Sequence, residues 1–187
     1  MGSPAKNGIE IQIRRWLRTN KKENSRLEFK QRIDLSTAGA KAEFIRDVIA
    51  LANSEGESPR EHGHLVVGFR NGRWFDIRGE HYDGATFGQI LDAYIFSAVD
   101  TLYEEFREGT RHRVGVLVVN ADPDVLYVVR KRLHDDHGKA ELVPGQSWGR
   151  KSDRKVELDG EAIHARLRDI IKRKIENATR PLQETIN

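Results

Sequence analysis

The stretch "ENSRLEFKQ", residues 23–31, places two carboxylates, Glu23 and Glu28, among the cations Arg26, Lys30 and Arg32. Leu27 and Phe29 alternate with charged neighbours, the pattern of a half-buried strand, so Glu28 and Lys30 share a face. A carboxylate and a lysine so arranged form the E-x-K element of some metal-dependent nucleases, in which the acid holds a divalent ion and the lysine orients water or stabilises charge. Glu23, five residues earlier, points to the opposite face of a regular strand and converges with Glu28 only if it belongs to the preceding turn. Magnesium or manganese would need a further oxygen ligand, for which Asp34, Asp47 and Asp76 are candidates. The same residues equally suit an edge strand whose charges discourage aggregation.

A second group of residues with chemical potential is "SWGRKSDRK", residues 147–155, which packs Trp148 with Arg150, Lys151, Arg154 and Lys155. An aromatic among cations can combine base stacking with phosphate contacts, while Trp148 can instead anchor a core. Two histidine groupings, His62 with His64 and "HDDH" at 134–137, lack the supporting ligands of a metal site. "GFRNG" has neither the Gly-x-Gly-x-x-Gly pattern nor the ending of a P-loop, and no nucleophile elbow surrounds Ser25 or Ser147.

The chain has 187 residues, 37% hydrophobic and 33% charged, which suits one globular domain. It has no cysteine, which excludes disulfides, thiolate catalysis and cysteine-based zinc sites and makes a cytoplasmic setting the expectation. No apolar run reaches bilayer length, so no membrane partner is expected. Net charge is only +3, but residues 1–34 carry nine Lys or Arg against four acids, whereas residues 79–109 carry Arg107 alone against seven. Clustered positive charge is the footprint of a polyanion partner.

The elements that must position these residues follow from periodicity. Ile9, Ile13, Trp16 and Leu17 predict an amphipathic helix over 8–19, with Arg14, Arg15 and Arg18 on its wetter side. A second helix, with Phe44, Ile45, Val48, Ile49 and Ala52 on one face, ends near Asn53 and Gly56 and covers a sheet. "GESPREHG" is a polar loop, and "HLVVGF" reads as a buried strand. Asn71-Gly72 predicts a type I′ hairpin that folds "RWFDI" back on the preceding strand. Capping-box spacing at Thr86 and Gln89 starts a helix whose stripe runs from Phe87 through Leu91, Tyr94, Ile95 and Val99 to Leu102. "HRVGVLVVN" and "VLYVVRKRL" read as strands, and "KAELV" with "QSWGRK" as a hairpin across Pro144 and Gly145, giving a large sheet. A closing helix over Gly160–Asn177 is expected to bury Ile163, Leu167, Ile170, Ile171 and Ile175. There is no internal repeat.

The segment order resembles a family. "ENSRLEFKQ", a helix ending "IALANSEG", then "GHLVVGFRNG", and later "AELVPGQSWGRKS" before a helix, is similar to the AlbA-like domain of the Schlafen proteins over residues 23 to about 171. The resemblance divides the chain into an N-terminal helical extension, 1–22, the domain, 23–178, and a tail, 179–187. It implies an α+β domain with a mixed β-sheet flanked by helices, and a role in binding nucleic acid; in such a binding module Arg26, Lys30, Arg32, Arg70, Arg73, Arg150, Lys151, Arg154 and Lys155 would line a phosphate-tracking groove, with Trp148 beside them. Vertebrate relatives of this kind cleave transfer and ribosomal RNA with three carboxylates and a divalent metal. Glu23 and Glu28 match the first two acids. Where the third should fall, this chain has Phe69, Arg70 and Asn71, leaving Asp76 as the substitute in a catalytic and metal-binding set of Glu23, Glu28 and Asp76. The family pattern is also interrupted by an inserted loop, Glu57 to His62. Three functions are then open: a nucleic-acid-binding domain, a magnesium- or manganese-dependent endoribonuclease, and a protein-interaction or oligomerisation module, a dimer included, using the acidic 79–109 segment.

Overall fold

The computed structural model describes residues 4–19, 21–54, 62–110 and 112–184. In chain order the elements are α1 (Pro4–Arg18), β1 (Leu27–Lys30), α2 (Ala38–Asn53), β2 (Gly63–Val67), β3 (Phe69–Arg70), β4 (Arg73–Trp74), α3 (Gly84–Tyr94), β5 (Ile95–Phe96), β6 (Asp100–Glu108), β7 (His112–Asn120), β8 (Val128–Val129), β9 (Leu133–His134), β10 (Ala140–Leu142), β11 (Trp148–Lys151), β12 (Arg154–Glu157) and α4 (Gly160–Glu184). The architecture is α+β, a mixed sheet flanked by helices. Its central sheet runs β1-β2-β7-β6, with β1 parallel to β2 and the other pairs antiparallel.

Both faces of that sheet are covered, and the side-chain alternation of its central strands shows why. Leu65 and Val67 of β2 and Leu117 and Val119 of β7 join one core with α2 and α3. Val66, Val114, Val116 and Val118 point the other way, into a second core with Ile13 and Leu17 of α1. Strands buried on both faces read as continuous apolar runs, which is how "LVV" and "VGVLVV" appear. A 15-residue helix is marginal alone, but burying two aliphatic side chains contributes about 3–6 kcal/mol and fastens α1 to the sheet. The expected charged edge strand is realised, since β1 is an edge of the sheet.

Thr37 caps α2 by accepting from the Ala40 N–H, and the helix is buried well beyond the expected stripe, including Asp47 and Asn53. It ends at Asn53 with extended Ser54 as its cap; Gly56 and most of the polar loop, including the insertion from Glu57, lie outside the described residues. The Asn71-Gly72 turn has φ of 51° and 74°, as a type I′ hairpin requires, and pairs Phe69 with Trp74 and Arg70 with Arg73. The returning strand pairs with β3 rather than β2, whose antiparallel neighbour is β7. Between β2 and β3, Gly68 has φ of 92°, and an added Cβ would lie 2.8 Å from the Arg113 carbonyl oxygen. Gly68→Ala is therefore expected to cost about 2 kcal/mol, read as a lower denaturation midpoint without a change in slope.

Several expectations fail where local pattern and tertiary pairing disagree. The helix from Thr86 to Leu102 stops at Tyr94: Asp83 is its N-cap, and the chain bends at Ser97, φ 78°, before entering β6. Thr101, Tyr103 and Phe106 are β-prone, and nine paired positions with β7 outweigh the continuing helical stripe. The acidic 79–109 segment is thus split between a helix and an edge strand. "VLYVVRKRL" forms only the short β8 and β9. β10 pairs with β9 and β11 with β12, so no hairpin crosses Pro144 and Gly145, and the remaining strands form two-stranded pairs rather than one large sheet. Among the described side chains of α4 only Ile170 is buried, while Leu167, Ile171 and Ile175 are exposed, because the helix meets the body along one narrow side.

Candidate nucleic-acid interface and its ion network

The turn before β1 brings the two glutamates together. Asn24 Oδ1 accepts from the Arg26 N–H at 2.8 Å, and an isolated bridge joins Asn24 to Leu27. The reversal lets Glu23 Oε1 accept from the Phe29 N–H at 3.0 Å. Half-burial raises the Glu23 pKa; the Phe29 hydrogen bond opposes this, and the charge of Glu28 adds to the rise.

Glu28 faces cations on two sides: Lys30 Nζ at 3.2 Å and the fully buried guanidinium of Arg150, which also donates to the Asp153 carbonyl at 2.8 Å. Lys30 continues to Asp47, 2.8 Å away on α2. Lys155 Nζ closes the network with contacts of 2.6 Å to Asp47 and 2.7 Å to Glu43. Burial alone would weaken the Lys30 charge, but Asp47 and Glu28 more than reverse this and raise its pKa. At Asp47 burial prevails over the two lysines and raises the carboxyl pKa. Glu43, nearer solvent, is also pulled up by burial, yet Lys155 holds it below the usual range. The network fastens the β11–β12 hairpin to β1 and α2 with charge-assisted hydrogen bonds.

This placement divides the residues expected to meet phosphate. Lys30, Arg150 and Lys155 are occupied by carboxylates. Arg26 is buried and donates to the Leu51 carbonyl at 3.2 Å, so it is not a phosphate contact. Trp148 is 5% exposed within the larger core, with the Arg46 guanidinium 5.6 Å over its ring, so base stacking by Trp148 gives way to the anchoring role. Arg32, Arg70, Arg73, Lys151 and Arg154 are exposed. Arg32 and Arg70 line a hollow of about 310 Å3 together with Lys30, Glu43 and Asp47.

Strand register accounts for the division within "GRKSDRK". Arg150 pairs with Lys155 and Lys151 with Arg154, so each cross-strand pair shares one face of the hairpin. The first pair enters the network and the second flanks the Ser152-Asp153 turn. Arg70 and Arg73 flank the Asn71-Gly72 turn of the other hairpin in the same way.

The structure does not bring Asp76 to the two glutamates. Its carboxylate is paired with Arg78 at 2.7 Å in the open, and the hydrogen bonds from Arg78 hold its pKa down at about 2. The acid that does join Glu28, through Lys30, is Asp47, one of the three candidates from composition. Asp34 lies along the rim of the hollow and accepts from Ser36 at 2.7 Å. His64 is buried, with its ring edge-on to Trp16 at 5.1 Å. Among the described residues no group of three or more His, Asp or Glu is arranged to hold a metal ion.

Two residues not singled out from sequence prove central. The first is Glu43, one helical turn before Asp47 on α2, where its carboxylate meets Lys155. Asn53 is the other. Its amide donates to the Tyr127 carbonyl at 2.7 Å, the Ser147 hydroxyl at 2.9 Å and the Trp148 carbonyl at 3.1 Å, and its oxygen accepts from the Tyr127 N–H at 2.8 Å. One buried side chain thereby fixes the start of β11 and the approach to β8 against the end of α2.

No protein-family model and no curated protein matches this chain. No helix among the described residues is long and apolar enough to cross a membrane.

Proposed function

We propose that the chain is a nucleic-acid-binding domain, similar to the Schlafen AlbA-like domains, that holds phosphate backbone between two cationic hairpin tips. One observation carries this reading: Arg70 with Arg73 and Lys151 with Arg154 each straddle a two-residue turn, exposed and outside the ion network. The acids between the hairpins are countered by Lys30, Arg150 and Lys155, so they repel a polyanion less than their number suggests. Arg32 extends the cationic rim from the Arg70 side.

The test is affinity for a labelled single strand at graded salt. Replacing Arg70, Arg73, Lys151 and Arg154 together by alanine should weaken binding similarly for all sequences and reduce the slope of log affinity against log salt by about 3. An unchanged slope would overturn the assignment.

A second reading, a divalent-metal-dependent ribonuclease, is favoured by the return of Glu23 to Glu28 and by the link through Lys30 to Asp47. It requires magnesium or manganese to displace Lys30 or Arg150 from the carboxylates.

A further inference from the structure

We infer that the hollow beside Arg32 and Arg70 receives the phosphate monoester at the end of a nucleic-acid strand, an inference that rests on the function proposed above. Strands β1 and β2 are parallel and joined by α2, so their carboxyl ends lie side by side, with Lys30 opposite Val67. Arg32 follows the first strand and Arg70 the second. The crevice outside the carboxyl ends of parallel strands is a recurrent place for ligands. The crossover helix also starts there: Ala40, in the first turn of α2, lines the hollow, which brings the positive end of the helix dipole beside it.

Two features fit the hollow to an anion. First, its donors are available: Arg32 and Arg70 are exposed, and neither guanidinium makes a hydrogen bond or ion pair with another described residue. Second, the deeper acids are already balanced. Lys155 meets both Asp47 and Glu43, and Lys30 lies between Asp47 and Glu28, whose other partner is Arg150. Of the remaining charges that line the hollow, only Asp34 opposes the two arginines, and one of its oxygens accepts from the Ser36 N–H at 2.8 Å and the Ser36 hydroxyl at 2.7 Å. The shape favours a strand end. Ile33, Phe44 and Leu65, none more than 6% exposed, close the hollow from below. Its volume of about 310 Å3 admits a terminal phosphate with its sugar, whereas an internal phosphodiester has a nucleotide on either side and passes over the rim. A phosphate monoester also carries more charge at neutral pH than a diester, and a third free oxygen, which suit two planar guanidinium forks. Arg70 belongs to the β3–β4 tip as well, so a strand held at that tip reaches the hollow with its end.

The experiment measures the affinity of three single-stranded DNAs of one sequence, each with an internal fluorophore, at one salt concentration: one with hydroxyls at both ends, one with a 5′-phosphate and one with a 3′-phosphate. One of the phosphorylated strands should bind about tenfold more tightly than the hydroxyl-ended strand. Arg32→Ala, at an exposed position, and Ala40→Glu, which places a carboxylate in the hollow, should each bring that ratio close to one, with circular dichroism checking the fold of both. A ratio unmoved by Arg32→Ala would overturn the assignment. A nucleoside monophosphate that displaces the phosphorylated strand at equal concentration would also overturn it, making the hollow a site for free nucleotides. Equal affinity for all three strands would overturn the hollow while leaving phosphate binding at the hairpin tips in place. Failure of every strand to bind at low salt would overturn both.

Discussion

Replacing Arg150 by alanine is expected to destabilise the fold by about 3 kcal/mol, because it removes one partner of a buried ion pair and leaves the other. Glu28 would keep only Lys30, the Asp153 carbonyl would lose its donor, and the hairpin would lose its tie to β1. In a chain of this size the melting temperature should fall by about 6–12 °C. Lys151→Ala, the next residue along, should change stability by less than about 0.5 kcal/mol, since its side chain is exposed. The contrast between neighbours is the informative result, separating a cation held in the network from one exposed to solvent. Arg150→Lys should recover only part of the loss, because an ammonium cannot reproduce the planar set of guanidinium donors. Equal and small effects of Arg150→Ala and Lys151→Ala would mean that the network contributes little.

Asn53→Ala should be at least as damaging, with a loss of about 3–4 kcal/mol in chemical denaturation. The substitution leaves the Tyr127 N–H and the Trp148 carbonyl buried without their partner, and each such group costs about 1–3 kcal/mol. Asn53→Asp keeps the shape but removes both amide protons and turns a carboxylate toward the Tyr127 and Trp148 carbonyls, so it should be no milder. Asn53→Gln keeps the chemistry, but its extra methylene must be accommodated in a closely packed site, so a partial loss is expected. A cost below about 1 kcal/mol for Asn53→Ala would show that water or a shift of the Tyr127 segment satisfies these groups instead. This set of hydrogen bonds gives the "ALAN" ending of α2 a physical reason, joining segments 74 and 95 residues apart.

What could be read from sequence was mostly local. The return of Glu23 needs only the residues between it and Phe29, and the Asn71-Gly72 hairpin needs two positive φ values at residues that tolerate them. The doubly covered strands were legible in the unbroken apolar runs of β2 and β7. The segment from Ile95 to Leu102 was not, since its stripe satisfies a helical period and only pairing with β7 decides for a strand. The cations of residues 150–155 were visible, but the direction of each depends on the register of β11 with β12, which no spacing within four adjacent charges determines. Asp76 was preferred as third acid because it follows the hairpin, whereas the acid that meets Lys30 is on α2, behind β1. For α4, periodicity predicted an apolar face and could not say how much of it a neighbour covers.

The carboxylates of β1 and α2 are held by their own lysines and arginine, and under the proposed function nucleic acid binds at the hairpin tips and is left intact. The most direct measurement incubates the purified protein with labelled transfer RNA, single-stranded RNA and single-stranded DNA, each with manganese and with chelator, beside a Glu28→Ala variant. Retarded but uncut strands are expected, with the same affinity in manganese and in chelator. Manganese-dependent cleavage that disappears in Glu28→Ala would contradict it, and would make Glu28 a metal ligand rather than a partner of Arg150.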